Sequence, residues 1–401
     1  MEQKYVFEDE DFVKQLKKGI AYDKDWNVIY LKFRKVRWEY QWELVSPQEI
    51  IDKIVKIRDE EGYKGYIYKG YIHNVRGNIY DISWIWNFRN LEVLDLGYNK
   101  ITSLPSEIWD LTNLEVLCLW GNDLTSLPPE IGNLKNLTDL CLDDNKISNI
   151  IPEIWNLTNL KHLYLDYNNI SNIPDSIWNL TNLEWLDLSK NNISSIPSEI
   201  WNLSNLTKLD LSNNNISNIS KEIWNLSNLT KLDLSNNNLF ILPKEIWNLK
   251  NLEILYLSYN KISNIIPEIW NLSNLKDLYL YSNNLEVLPS EIWNLKNLTW
   301  LGLSKNNLKT LPETIANLTK LKDLYLQNNN ISSLPKTIIN LTELRRLDLS
   351  DNSNLWKLNR KFYYDDKTKN CDKVIDVDWD WINDTYLCIQ GDWEHLKLWT
   401  E

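Results

Sequence analysis

The side chains with the most chemical potential in this 401-residue chain lie between residues 118 and 166. Cys118 and Cys141 occupy the same place in two similar segments, LEVLCLWGN and LTDLCLDDN, with Trp120, Asp139, Asp143 and His162 close by. A thiol beside a base can act as a nucleophile, and Cys with His and Asp are zinc-ligand types. The spacing supports neither use. Zinc sites close with a third and fourth ligand at definite intervals, which the sequence does not supply, so two small residues in an acidic wall is the simpler reading.

The remaining candidates for catalysis are scattered. The three histidines, His73, His162 and His395, are far apart, and no GxSxG, HExxH, phosphate-loop or dinucleotide fingerprint occurs. Carboxylate pairs such as Asp143 with Asp144, or Asp378 with Asp380, read as solvated charge. The sequence therefore predicts no catalytic residue, no metal and no cofactor. The net charge of −12 argues against a partner held through phosphates, hence no nucleic acid. MEQKYVFEDEDFVKQLKKG lacks the apolar segment of a secretory signal, and no apolar run is long enough to span a membrane. Four cysteines without CxxC spacing suit a reducing compartment, so the expected location is cytoplasmic.

What must position these residues is a repeat. From Leu91 the pattern LxxLxLxxN returns twelve times, from LEVLDLGYN to LRRLDLSDN, its asparagines running from Asn99 through Asn122, Asn145 and Asn168 to Asn352 at a constant step of 23 residues. Alternation places Leu94 and Leu96 on one side of a short strand and Val93, Asp95 and Gly97 on the other. Copies stacked in this way give a parallel sheet, with an asparagine at each turn to satisfy unpaired backbone groups. The second half of each copy, as in ITSLPSEIWDL, spaces Ile101, Leu104, Ile108 and Leu111 by three and four residues. That predicts a helical or 3-10 return segment, with proline (Pro105, Pro128, Pro174 and others) at its first position and shifted by one at Pro152 and Pro267.

Over residues 91–352 this pattern resembles the leucine-rich-repeat family in its 23-residue LPxxIxxL form, as in Ras-suppressor-type, plant intracellular Ras-group and many bacterial repeat proteins. The resemblance implies an α/β fold: a leucine-rich-repeat solenoid shaped as a curved horseshoe, with parallel strands on the concave face, helical or 3-10 turns on the convex face and non-repeat capping regions. It also implies a binding scaffold rather than an enzyme. The expected domains are an α+β leader over 1–75, the solenoid over 76–352 and a C-terminal cap over 353–401. Within the leader, Ser46-Pro47-Gln48-Glu49 reads as a helix start and GYKGYIYKGYIHNV as strands.

Nine copies carry a tryptophan after the buried isoleucine: Trp86, Trp109, Trp155, Trp178, Trp201, Trp224, Trp247, Trp270 and Trp293. Side chains on a helical turn diverge by about 100°, so this one points toward the next repeat. One reading is a ladder of rings packed between return segments, with Gly132, Ala316 and Ile339 as tolerated substitutes. The other is an exposed aromatic stripe that could hold a glycan or another protein.

Function is expected on the outward strand positions, which vary while the frame stays fixed. Two aromatic groups stand out: His162, Tyr164, Asp166, Tyr167 and Trp185, then Tyr256, Tyr279, Tyr281, Trp300 and Tyr325. LKHLYL and LKDLYL, like LEWLDLSKNN and LTWLGLSKNN, are 115 residues apart, the mark of a block duplication. Five strands separate the groups, predicting about 24 Å between them along the face. Residues 91–205 hold 16 acids and 5 bases while 206–352 hold 14 and 15, so the first half presents a negative field. The reading is a partner protein, with a basic surface, anchored by these aromatics; the alternative is a carbohydrate-binding or surface-adhesion protein using the same rings.

Overall fold

A computed structural model describes residues 20–22, 28–31, 91–352, 373–377 and 385–389. The expected helix after Ser46, the alternating stretch 62–75, Trp86 and the proposed boundary at residue 75 lie outside the described residues. The chain divides into two compact units, Met1–Asn192 and Ile193–Glu401.

In the first unit β1 (Ile20–Tyr22) and β2 (Val28–Leu31) pair antiparallel. They are followed by five parallel strands of three residues each: β3 (Val93–Asp95), β4 (Val116–Cys118), β5 (Asp139–Cys141), β6 (His162–Tyr164) and β7 (Trp185–Asp187). In the second unit seven more run parallel, β8 (Lys208–Asp210), β9 (Lys231–Asp233), β10 (Ile254–Tyr256), β11 (Asp277–Tyr279), β12 (Trp300–Gly302), β13 (Asp323–Tyr325) and β14 (Arg346–Asp348). There β15 (Lys373–Val377) extends the sheet in parallel from β14, and β16 (Thr385–Ile389) pairs antiparallel with β15. Within each unit the repeat strands pair at the same position of consecutive copies, as in Leu94 with Leu117 and Leu278 with Leu301. Each unit is thus a stack of one strand-turn-return module.

The leucines behave as the alternation predicts: Leu94, Leu96, Leu117 and Leu119 are wholly buried. The asparagines do more than close a turn. Asn122 donates through Nδ2 to the Leu96 carbonyl of the copy before and the Leu119 carbonyl of its own, both at 2.9 Å, while its Oδ1 accepts from the Ile101 N–H at 3.0 Å. Asn145, Asn237, Asn306 and Asn329 repeat this bridge. Each asparagine therefore satisfies buried backbone groups in two copies at once.

The return segments are 3-10 helices of five residues, and no α-helix occurs among the described residues. In Ser106–Asp110 the Ile108 N–H donates to the Pro105 carbonyl and the Leu111 N–H to that of Ile108, both at 3.2 Å. Five residues are too few to repay the nucleation of an α-helix, whereas the tighter i to i+3 pattern suits short pieces. The prolines also sit one residue earlier than expected. Pro105, Pro174, Pro197 and Pro243 are extended N-caps, whereas Pro152 and Pro267 of the shifted copies begin the helix, as Pro129 does after its N-cap Pro128.

Neither expectation for the tryptophan column holds throughout, because its members alternate. Trp109, Trp155, Trp201 and Trp247 are buried, while Trp178 is 50% and Trp224 53% exposed. Gly132 fits the same alternation, standing between two buried rings. The return segments are spaced to match. Segment 129–133 lies closer to 152–156 than the latter does to 175–179, and 221–225 closer to 244–248 than the latter does to 267–271. The looser pairs are those that follow the buried Trp155 and Trp247. A ring in every gap would force every return segment apart, while the strands on the other side hold their spacing of about 4.8 Å. The buried rings carry a cost, since Nε1 of Trp155, Trp201 and Trp247 has no hydrogen-bond partner.

Truncating Trp247 to alanine is expected to cost about 3–5 kcal/mol, as for other buried aromatics, against under about 1 kcal/mol for Trp224→Ala. Urea denaturation of the two variants measures this, and equal shifts would remove the alternation.

Candidate partner-binding surface

The outward residues of each strand form rows, because consecutive strands pair at equivalent positions. In the second unit one row runs Tyr256, Tyr279, Gly302, Tyr325 on β10 to β13, and the row beside it holds Asp277, Trp300 and Asp323. The rings do not stay in their own rows. Tyr256 and Tyr279 stack at 4.3 Å, Tyr279 and Trp300 at 3.8 Å, and Trp300 meets Tyr325 at 5.1 Å. Trp300 has crossed into the place that Gly302 leaves open: a Cβ added to Gly302 would fall 2.5 Å from the indole. The result is a continuous line of four rings, Tyr256, Tyr279, Trp300 and Tyr325. Cations flank it, with Lys231 5.4 Å from the Tyr256 ring and Arg346 6.0 Å from the Tyr325 ring. Arg346 Nη1 also donates to the Tyr325 hydroxyl at 2.8 Å. Tyr281 stands outside the line and meets Tyr259 edge-on at 5.1 Å. Burial above all, then Tyr256 and Asp277, raises the Tyr279 phenol well above its usual range. It is a neutral hydroxyl at physiological pH.

The first unit holds the duplicated counterpart in a different state. Tyr164 and Trp185 correspond to Tyr279 and Trp300, but Asp187 stands where the second unit has Gly302. The indole does not lie flat there. Trp185 meets Tyr164 edge-on at 5.1 Å and 70°, and His162 at 6.5 Å and 84°. His162 is tethered through Nδ1 to Asp139 Oδ1 at 2.5 Å. Asp166 is half-buried on the same strand face, and Tyr167 is exposed beneath the Lys190 ammonium, which lies 3.5 Å from its ring centroid. The sequence-predicted residues thus fall into two groups in separate units.

Carboxylates surround the first group. Burial first, then the charges of Asp144, Asp187 and Asp95, pushes Asp143 up to about 6, against the pull of its own backbone hydrogen bond. Burial followed by Cys141, Asp139 and Asp187 pushes the Tyr164 phenol up to about 12. Burial and the charge of Asp210 likewise push Asp233 on β9 up to about 6, so raised carboxyls occur on the strand faces of both units.

Sequence reasoning missed several participants. Gly302 and the flanking Lys231 and Arg346 were not singled out, and neither was Tyr98, whose ring meets Trp120 at 4.1 Å. Trp120 uses the same device as Trp300: a Cβ on Gly97 would fall 2.2 Å from its indole. A glycine at an outward strand position within a repeat of a tryptophan is the signal that could have found both.

Several repeat families match the chain. Residues 112–170, 135–193, 181–239 and 204–262 match the family described as leucine rich repeat, residues 89–129 a two-copy form and residues 260–359 a leucine-rich repeat region. A leucine-rich-repeat protein of Leptospira interrogans is 37% identical across 67% of this chain and 80% of its own, with a TM-score of 0.54. The internalin InlF of Listeria monocytogenes is 26% identical, covering 77% of this chain and 85% of its own at a TM-score of 0.64. The plant peptide hormone receptor RGFR1, solved in complex with RGF2, is 27% identical over 90% of this chain and 52% of its own, at 0.65. No curated protein matches.

The geometry generates two expected outcomes. Gly302→Ala is expected to displace the Trp300 ring, seen as a change in near-ultraviolet circular dichroism and in tryptophan fluorescence, with little loss of stability because the ring edge can move. Unchanged spectra would mean that the glycine does not hold the stack open. Asp143 is costlier to ionise in the folded chain than in the unfolded one, so it holds its proton more tightly when folded and its penalty grows as pH rises from about 4 toward 6. Asp143→Asn is accordingly expected to raise the urea midpoint at pH 7.5, with the gain fading as pH falls through that window; a gain independent of pH would contradict it.

Proposed function

Because this chain belongs to the leucine-rich-repeat family, we propose that it is a binding protein rather than an enzyme, and that it takes a protein or peptide partner on its strand face. Relatives of this fold are commonly protein-binding or receptor domains, and RGFR1 is a peptide hormone receptor. The observation that carries the reading is the line Tyr256, Tyr279, Trp300, Tyr325 with a cation at each end. Rigid aromatic side chains on a fixed frame supply large contact area at small entropic cost, which is how interface anchors work.

The stacking itself weighs against a sugar ligand. A pyranose would need an open ring face, and both faces of Tyr279 are occupied, by Tyr256 at 4.3 Å and Trp300 at 3.8 Å. At Tyr279 ring edge and hydroxyl are what remain for a partner, and these suit peptide carbonyls and apolar side chains. In the first unit the carboxylates around His162 and Tyr164 favour a partner segment with basic residues.

Selecting binders from a displayed random-peptide library against the full chain, then measuring affinity by calorimetry, tests this reading. Tyr279→Ala with Trp300→Ala is expected to weaken the selected peptides by at least about 100-fold, near 3 kcal/mol for two central anchors. Affinity retained in this double variant would move the site off the strand face, and a glycan array that bound where no peptide did would replace the reading.

A further inference from the structure

Cys118 and Cys141 are not aromatic anchors, although Cys141 pairs with Tyr164 in the same outward row. They occupy equivalent positions of β4 and β5, directly paired in parallel register. Neighbouring strands lie about 4.8 Å apart, inside the Cα span of about 4.4–6.8 Å that a disulfide bridges. Both side chains leave the same face, and their sulfurs stand 2.8 Å apart. Cys118 is buried and Cys141 half-buried, and both are free thiols.

Two other uses of the pair fare worse. Among the described residues no group of three or more His, Cys, Asp and Glu is placed to hold a metal ion. A nucleophilic thiolate is disfavoured as well. The hydrogen bond that the Cys141 thiol donates to Cys118, burial, and the carboxylates of Asp143 and Asp139 all hold Cys141 in its protonated form. What the geometry does favour is contact between the two sulfurs.

We propose that Cys118 and Cys141 form a redox-active pair that closes to an intramolecular disulfide when a small-molecule disulfide of the glutathione class is the oxidant. One thiol loses its proton and attacks a sulfur of the oxidant, releasing one small thiol. The other loses its proton and displaces the second, so the pair gives up two electrons and two protons, and the oxidant becomes two thiols. Carboxylates beside the pair slow this exchange, since they oppose the thiolate that must attack. The bond is reversible rather than a permanent staple. Cys141 is only half-buried, so a small thiol reaches the bond and reduces it by the same exchange.

The test equilibrates the full chain in glutathione buffers running from reduced to oxidised, alkylates the remaining thiols and reads peptide masses, with circular dichroism on the same samples to show that the chain is folded. In oxidising buffer the expected product joins the Cys118 and Cys141 peptides, two hydrogens lighter than the two thiols; in reducing buffer both are alkylated. Cys118→Ser should abolish the cross-link. Both cysteines alkylated in every buffer, each carrying its own glutathione, or either joined to Cys371 or Cys388, would overturn the inference.

Discussion

One side-chain amide per copy fixes the pitch that the rest of the molecule inherits. Asn122 reaches the Leu96 and Leu119 carbonyls with its nitrogen and takes the Ile101 N–H on its oxygen, so its partners lie at set distances along the chain in two successive copies. A residue inserted between them would leave buried backbone groups unpaired, each at a cost of about 1–3 kcal/mol. This accounts for a period that never departs from 23 residues. The turn that aims the asparagine is itself strained. The residue before it is left-handed in each copy, and Tyr98, Tyr167, Lys190 and Ser282 accept φ between 51 and 56° without being glycine. Local preference opposes that conformation, and the bonds of the ladder overrule it.

A fixed pitch turns the outward residues into rows, and rows turn small sequence differences into different surfaces. The two aromatic groups descend from one duplicated block, yet one presents stacked rings and the other edge contacts. The deciding residues are Gly302 and Asp187. A glycine lets the indole two residues earlier lie across it, whereas a carboxylate fills the space and turns the indole on edge. Charge differs as well: the first sits among Asp139, Asp143 and Asp187, whereas the second has Asp277 and Asp323 beside Trp300 and a cation at each end of its line. Two copies of one block thus offer two chemistries.

On the other side of each unit the constraint is volume. The strands hold their spacing whatever the return segments carry, so a tryptophan between return segments is tolerated only where the neighbouring gap is narrow. Alternate rings enter, and their partners in the column remain in solvent. The same residue in the same motif therefore builds the interior at Trp201 and the surface at Trp224. Three buried indoles also leave their N–H groups unpaired, which shows that packing outweighs polar satisfaction at this position.

By itself the sequence determined the module. Leucine alternation and the asparagine step specify the strands, the inward face and the register, because burial with a period of two and a fixed repeat length leave one way to stack. It also named the rings that form the candidate surface, since only outward positions are free to vary. Tertiary structure decided what periodicity cannot express. Whether a return segment is 3-10 or α depends on the room between proline and leucine, which of two identical tryptophans is buried depends on its neighbour, and whether Trp300 stacks depends on the missing Cβ of Gly302. Each of these is a contest for space between copies, and a pattern read one copy at a time holds no record of it.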